Sequence, residues 1–174
     1  STLGTGQPHM AAAKKKSKPD DNEPRIQNRR ARHDYLITDT LECGIRLLGS
    51  EVKSLRTGQA SLAEGYVRAE LDPPRLTLYS VHIAEYPNAS SAHQHDPVRT
   101  RQLLAHKREI RKLAKATATK GVTLIPLEIH WLHGRAKVLI GLGTGKRAYD
   151  KRQSLKEKAH QRDMEQHTKR SRYR

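Results

Sequence analysis

Three groups of residues have types and spacings that could do chemistry. Glu51-Val52-Lys53, preceded by Asp39 or Glu42, forms the acid-plus-Glu-x-Lys arrangement that can hold Mg²⁺ and a water for phosphodiester hydrolysis. That chemistry needs Glu51 and Lys53 on one face of a strand. Ser50 as N-cap, Gly58 at the far end and the Val52/Leu55 spacing instead predict a short helix over 51–56, which turns the two side chains in different directions. His93-Gln94-His95-Asp96, with His82, offers imidazoles and a carboxylate for a metal, but nothing else in the sequence completes a known ligand spacing. Gly141-Leu142-Gly143-Thr144-Gly145-Lys146 has the outline of a phosphate loop. It fails residue by residue: Ile140 stands where the first glycine belongs, and Arg147 stands where Ser or Thr would hold Mg²⁺. Those glycines read as the end of the folded body. No catalytic residue, metal site or cofactor is expected.

The remaining chemistry is that of a polycation. Residues 146–174 hold 11 Lys/Arg against 4 Asp/Glu, with Leu155, Ala159, Met164 and Tyr173 as the main apolar content. The whole chain carries a net charge of +16, and residues 1–33 and 146–174 contribute far more of it per residue than the middle does. An arm with that surplus calls for a polyanion, and RNA leads the candidates. Within Lys146-Arg147-Ala148-Tyr149-Asp150-Lys151-Arg152, Tyr149 has no apolar neighbour in sequence, so stacking on an unpaired base suits it. The isolated arm is expected to be disordered. A helix becomes accessible to it once phosphates screen its charge, because Leu155 and Ala159, and Glu165 and Lys169, lie four apart.

The elements that position these groups follow from periodicity. Residues 1–9 ahead of Met10 read as an expression remnant, and the Lys-, Asp- and Pro-bearing stretch to Gln27 as disordered. Asn28-Arg29-Arg30-Ala31-Arg32-His33 is a second basic cluster immediately before the body. From Tyr35 the pattern has period two: Tyr35 and Ile37, then Leu41, Cys43, Ile45 and Leu47, with Gly44 marking a bulge or a close backbone approach. Further strands are expected over 62–71 and 76–83, joined at Asp72-Pro73-Pro74-Arg75, with Tyr79 buried. Thr100–Lys120 reads as one helix or two, with Leu103, Ile110, Leu113 and Thr117 on one face. Val122–Leu132 alternates Ile125, Leu127, Ile129 and Trp131 inward, Pro126 marking an edge or a bulge, and His133-Gly134-Arg135 turns into a last strand over 136–142.

Strand runs interrupted by one helical insertion predict a mainly β protein, an OB-like antiparallel β-barrel with accessory helices and disordered basic tails. The expected division is a tail over 1–27, an RNA-binding barrel over 28–145 and the basic arm over 146–174. No apolar run approaches the roughly 20 residues that cross a bilayer, so no membrane partner is expected. The lone Cys43, read as a core residue, fits a reducing cytoplasm.

Four dispersed motifs, in order, resemble the SmpB family of SsrA-binding proteins over residues 28 to about 156. They are Asn28-Arg29-Arg30-Ala31-Arg32-His33-Asp34-Tyr35; Gly49-Ser50-Glu51-Val52-Lys53-Ser54-Leu55-Arg56 with Gly58-Gln59-Ala60-Ser61; Asp96-Pro97-Val98-Arg99-Thr100-Arg101-Gln102-Leu103-Leu104; and Gly145-Lys146-Arg147 with Asp150-Lys151-Arg152. The resemblance implies an OB-type barrel that clamps the tRNA-like domain of transfer-messenger RNA near its elbow and takes the place of the missing anticodon arm in the decoding centre. Partners would then be that RNA and the ribosome, with a monomeric protein in a one-to-one RNA complex and no small-molecule substrate. Asn28, His33, Glu42 and Leu104 match positions tied to RNA binding, and Lys146 and Arg147 match basic contacts. Arg29, Arg30, Arg32, Tyr35, Glu51, Lys53, Arg56 and Tyr66 complete the expected RNA-binding set. Tyr149, Asp150, Lys151, Arg152 and Lys156 match the part that meets the decoding centre. The chain departs from the family at Tyr149, where many relatives carry His; a tyrosine keeps the stacking face and loses a titratable donor. Many also have a Lys at Thr144 and an acid at Ser154. A general single-strand RNA- or ribosome-binding protein of the same fold stands as the alternative, and a Mg²⁺-dependent nuclease behind it.

Overall fold

In the computed structural model, residues 23–146 and Met164 are described. The chain orders as β1 (Ile26–Gln27), α1 (Arg29–Asp34), β2 (Tyr35–Ile45), α2 (Gly49–Arg56), β3 (Ala60–Ser61), β4 (Tyr66–Leu71), β5 (Pro74–Tyr79), β6 (His82–Ile83), β7 (Arg101–Leu104), α3 (Lys107–Thr117), β8 (Val122–Leu132) and β9 (Arg135–Gly145). The main sheet runs β1-β8-β4-β5-β7-β2-β9, and β9 pairs back onto β8. Six antiparallel strands therefore close on themselves, leaving β1 as a short addition along β8, and β3 and β6 form a separate two-stranded ribbon. Closure removes the exposed strand edge that a sheet this short would otherwise present.

The barrel bends where its ladders slip. The β2–β9 register shifts between Ile37 and Asp39, and the β8–β9 register between Pro126 and Glu128. Pro126 thus marks a bulge. On one side of it β8 meets β4 through Val67 and Leu124, and on the other it meets β1 through Ile26 and Ile129. The extra residue puts Leu124, Ile129 and Trp131 into the main core, with Leu76, Leu78, Leu103 and Ile140, while Ile125 and Leu127 form a smaller cluster with Ala31. The expected inward row of four is therefore split between two cores. α3 packs Ile110, Leu113 and Ala114 inward, beside β4, β5 and β8.

Several sequence expectations change. Arg101–Leu104 is a strand rather than the start of a helix, and α3 begins only at Lys107. The stretch 62–71 breaks at Gly65, where a Cβ would lie 2.7 Å from Val81 Cγ2 and 2.8 Å from Pro126 Cγ, so the strand begins at Tyr66. Leu48, not Ser50, caps α2; Ser50 is buried inside it, with its hydroxyl 2.9 Å from His95 Nδ1. Gly44 is a close approach, not a bulge: a Cβ there would sit 3.2 Å from Leu104 Cβ. Gly141 and Gly143 do not end the barrel. They lie inside β9, where Ile37 and Leu127 press on the backbone. Tyr79 is half-buried, stacked on Tyr66. Cys43 is fully buried, and burial pushes its thiol up to about 12, so it is inert as a nucleophile at neutral pH.

Candidate nucleic-acid interface

The basic cluster before the body becomes α1, and Asn28 decides where that helix sits. Its Oδ1 accepts from Ala31 N–H at 3.1 Å, capping α1, while Nδ2 donates to Leu62 O at 2.9 Å and Pro126 O at 3.1 Å. Its own N–H donates to Leu127 O at 2.8 Å. Every polar group of the side chain is thus spent inside the protein and only 6% of the residue is exposed, so Asn28 acts on any RNA through the placement of α1, not as a direct contact. At the other end, Lys146 N–H donates to Asp34 O at 2.9 Å and Lys146 Nζ donates to Arg32 O at 3.1 Å. Tyr35 faces Gly145 across the β2–β9 ladder. The fold therefore brings together residues more than a hundred positions apart: Arg29, Arg30, Arg32, His33 and Tyr35 with Lys146.

The charge of this ridge is only partly balanced. Arg30 reaches Asp34 at 3.2 Å and Glu64 at 3.4 Å, and His33 Nδ1 lies 3.0 Å from Asp34 Oδ1. Arg29 and Arg32 are exposed and make no ion pair among the described residues. Beside the ridge opens a cleft of about 280 Å³, lined by Asn28, Arg30, Tyr35 and Tyr66, with Asp34 and Glu64 on its wall. Tyr66 is 40% exposed and stacks on Tyr79, ring centroids 5.1 Å apart at an interplanar angle of 8°, with the Arg68 guanidinium 5.6 Å from the Tyr79 centroid. One face of Tyr66 is thus spoken for, and its outward exposure suits a second stacking partner.

Glu42 and Leu104 belong to a second locus farther along β2. Glu42 Oε2 meets His130 Nε2 at 3.1 Å, and Leu104, paired with Gly44, leaves 53% of its surface exposed. On α2, Lys53 Nζ lies 5.1 Å from the Tyr86 ring centroid and Arg56 lies 5.2 Å from that of Trp131, and both residues are exposed.

Glu51 must be corrected as an RNA contact. It is fully buried, its Oε1 accepting from Arg99 Nε and Arg101 Nε, each at 2.8 Å, and its Oε2 from Arg99 Nη2 at 2.6 Å and Leu48 N–H at 2.7 Å. Burial alone would push the carboxyl up, but the Arg99 hydrogen bond, the Leu48 N–H and Arg101 outweigh it and hold Glu51 below the usual carboxylate range. With both oxygens engaged by guanidinium groups, the carboxylate has no free position for a Mg²⁺, which argues against the Glu-x-Lys nuclease arrangement. His82, His93, His95 and Asp96 likewise do not converge; no group of metal-ligating residues forms among the described residues.

Arg99 and Arg101 escaped the sequence reading as a pair, although their period-two spacing was the signal. With Arg46 and Arg75 they line a basic cleft of about 430 Å³. Lys146 is the last described residue of the arm, Met164 apart. Arg147, Tyr149, Asp150, Lys151, Arg152 and Lys156 lie outside the described residues.

Comparison with known proteins places the chain in a family. The family described as SmpB protein matches residues 25–170. An SsrA-binding protein of Lactobacillus acidophilus is 49% identical over 138 residues, which cover 79% of this chain and 89% of that relative. One from Staphylococcus epidermidis is 47% identical over 157 residues, 90% of this chain and 97% of its own. A chain from a solved structure described as "tmRNA-SmpB: a journey to the center of the bacterial ribosome" superposes with a TM-score of 0.61 at 48% identity, covering 72% of this chain and 86% of that one. With a closed β-barrel, a cationic α1 ridge and a family match across most of its length, this chain belongs to the SmpB protein family.

Proposed function

We propose that this chain binds transfer-messenger RNA and delivers it to stalled ribosomes for trans-translation, as a non-enzymatic adaptor. The observation that carries the reading is the joint surface made by α1 and the end of β9. There Arg29, Arg32 and Lys146 supply cations, and the adjoining cleft presents Tyr35 and Tyr66 to bases. Phosphate contacts on the ridge would fix the RNA's orientation, and tyrosines would take bases where the RNA is unstacked. The relatives' description as SsrA-binding proteins supports the same reading.

The basic arm, which starts at Lys146 beside α1, carries the second half of the proposal. Tyr149, Asp150, Lys151, Arg152 and Lys156 meet the decoding centre and mRNA channel, while Arg147 stays with the barrel's RNA clamp. Ending the chain after Arg147, which leaves Lys146 and Arg147 on the barrel, separates the two halves. The truncated protein is expected to keep most of its affinity for transfer-messenger RNA in filter binding and to lose peptide tagging on stalled ribosomes. Loss of RNA binding itself would refute this division. Competition by unrelated RNAs at matched salt decides against a general RNA-binding protein, because a salt-matched preference cannot arise from phosphate attraction alone.

A further inference from the structure

The basic cleft of about 430 Å³ lies against β5, β7 and the chain just past β2. In β5, Leu76 and Leu78 are buried in the core, so Arg75 and Thr77 point outward; in β7, Arg101 and Leu103 are buried, so Gln102 points outward, opposite Thr77 in the ladder. Arg46 N–H donates to Gln102 O at 2.9 Å, which sets Arg46 beside that pair. Four arginines line the cleft, Arg46, Arg75, Arg99 and Arg101, and no acid does. A single carboxylate, Glu51, serves both Arg99 and Arg101, so that trio keeps one positive charge to spare. Asp96 also acts on Arg101, but it is exposed and its Oδ1 accepts from Val98 N–H at 2.9 Å. Arg46 and Arg75 are exposed and make no ion pair among the described residues, although Arg75 lies across the β4–β5 ladder from Glu70.

Nothing in the packing of the barrel calls for Arg46 or Arg75, whose side chains stand outside the core. Arg99 is different. Glu51 grips its Nε and Nη2, and its Nη1 donates to Thr100 O at 3.2 Å, so its charge is fixed in place. Guanidinium groups take phosphate oxygens through paired N–H···O bonds. Two uncommitted guanidinium groups beside a third, fixed one suit a group with more than one negative charge. A terminal phosphate carries about −1.5 to −2 at neutral pH, whereas each phosphodiester of an RNA backbone carries a single charge. The volume falls in the range of small-ligand sites, roughly 300–1,000 Å³. Leu48, half exposed at the same cleft, offers apolar surface to the rest of such a molecule. We infer that this cleft binds a small molecule ending in phosphate, of the nucleoside mono- or diphosphate class. Arg46 and Arg75 hold the phosphate oxygens, Arg99 adds a charge that Glu51 keeps in place, and Leu48 covers the nucleoside. The site is separate from the α1 ridge, and the RNA-binding proposal does not depend on it.

Calorimetric titration of the full-length protein with adenosine diphosphate, at fixed ionic strength, tests this. The diphosphate should bind one to one, and adenosine should give no heat. Arg46→Gln and Arg75→Gln change exposed side chains, and each should weaken the diphosphate about ten-fold, the loss of one charge-assisted contact. Because any cation attracts a polyanion, Lys107→Gln with Arg111→Gln, which removes two exposed cations of α3, is the control and should leave the affinity unchanged. Absence of saturable binding, or an equal loss in the control and the cleft variants, overturns the site. Diphosphate bound alongside saturating transfer-messenger RNA supports it. Displacement by that RNA at matched ionic strength overturns the small-ligand assignment and gives the cleft to the RNA.

Discussion

Replacing Glu51 by glutamine tests whether this residue builds the barrel or touches RNA. Glu51 is the hub between α2, the chain leading into β7 and β7 itself. Its carboxylate holds Arg99 in two places and Arg101 in one, and accepts the Leu48 N–H at the start of α2. The Arg101 side chain is fully buried, and its other nitrogens are occupied by Val81 O at 2.6 Å and by Arg99 O and Pro97 O, each at 3.0 Å. Glutamine keeps the shape and one acceptor but removes the countercharge, leaving a guanidinium enclosed without compensation. Breaking a buried pair from one side costs about 3–5 kcal/mol. Against a total of about 5–15 kcal/mol for a domain, that is a large fraction. For a barrel of this size it corresponds to a fall in Tm of roughly 10–25 °C. Urea unfolding followed by circular dichroism measures it. The affinity for transfer-messenger RNA, taken at a temperature where both proteins are folded, should stay within about two-fold, since a two-fold change is under 0.5 kcal/mol. A variant as stable as the parent, or one that is stable but no longer binds RNA, would refute the structural assignment.

The same carboxylate sets an acid limit. Its folded pKa lies below the unfolded one, so its contribution is complete above the ordinary carboxylate range and disappears as pH falls through the folded value. Stability of the parent should decline on acidification below about pH 4.3 more steeply than that of Glu51→Gln, measured as urea midpoints across the pH series. Arg29→Gln with Arg32→Gln should leave the urea midpoint unchanged, because neither side chain makes an ion pair among the described residues, and should lower the slope of log affinity against log salt by about 1.4–1.8, for two lost phosphate contacts. Gly141→Ala should cost about 1–3 kcal/mol through overpacking, since the new Cβ would lie 2.9 Å from Leu127 Cδ1 and 3.1 Å from Ile37 Cγ2. A Tm equal to the parent's would show that β9 can yield there.

Much of the barrel was legible because its strands alternate strongly. β8 runs over the expected residues, and its turn into β9 uses His133 and Gly134 at φ 51° and 68°, the left-handed pair of a two-residue hairpin. β7 was not legible. Leu103 falls by coincidence on the helical face of Ile110, Leu113 and Thr117, and nothing local announces that Arg101 points into the core. An arginine is buried only against a partner, and that partner, Glu51, lies 50 residues earlier. The ridge was half legible. Basic residues in α1 and at Lys146 stood out as two separate clusters, but their meeting depends on the β2–β9 ladder and on the bonds of Asn28 to Leu62 and Pro126. Trp131 was expected to face inward, yet that its indole N–H meets no acceptor among the described residues is a property of the packed wall and has no trace in the order of residues.

β9 is hydrogen-bonded along most of its length on both sides, to β2 and to β8. Its last residue is followed by Lys146, which is tied by two further bonds to α1. The chain therefore leaves the barrel from a strand that is gripped like a rope between two hands. Tension drawn along β9 from that point loads both ladders in shear, so many bonds must give together and none can be peeled off in turn. A pull from outside would be met by the barrel as a whole, and α1, stitched to the same exit, would feel it first.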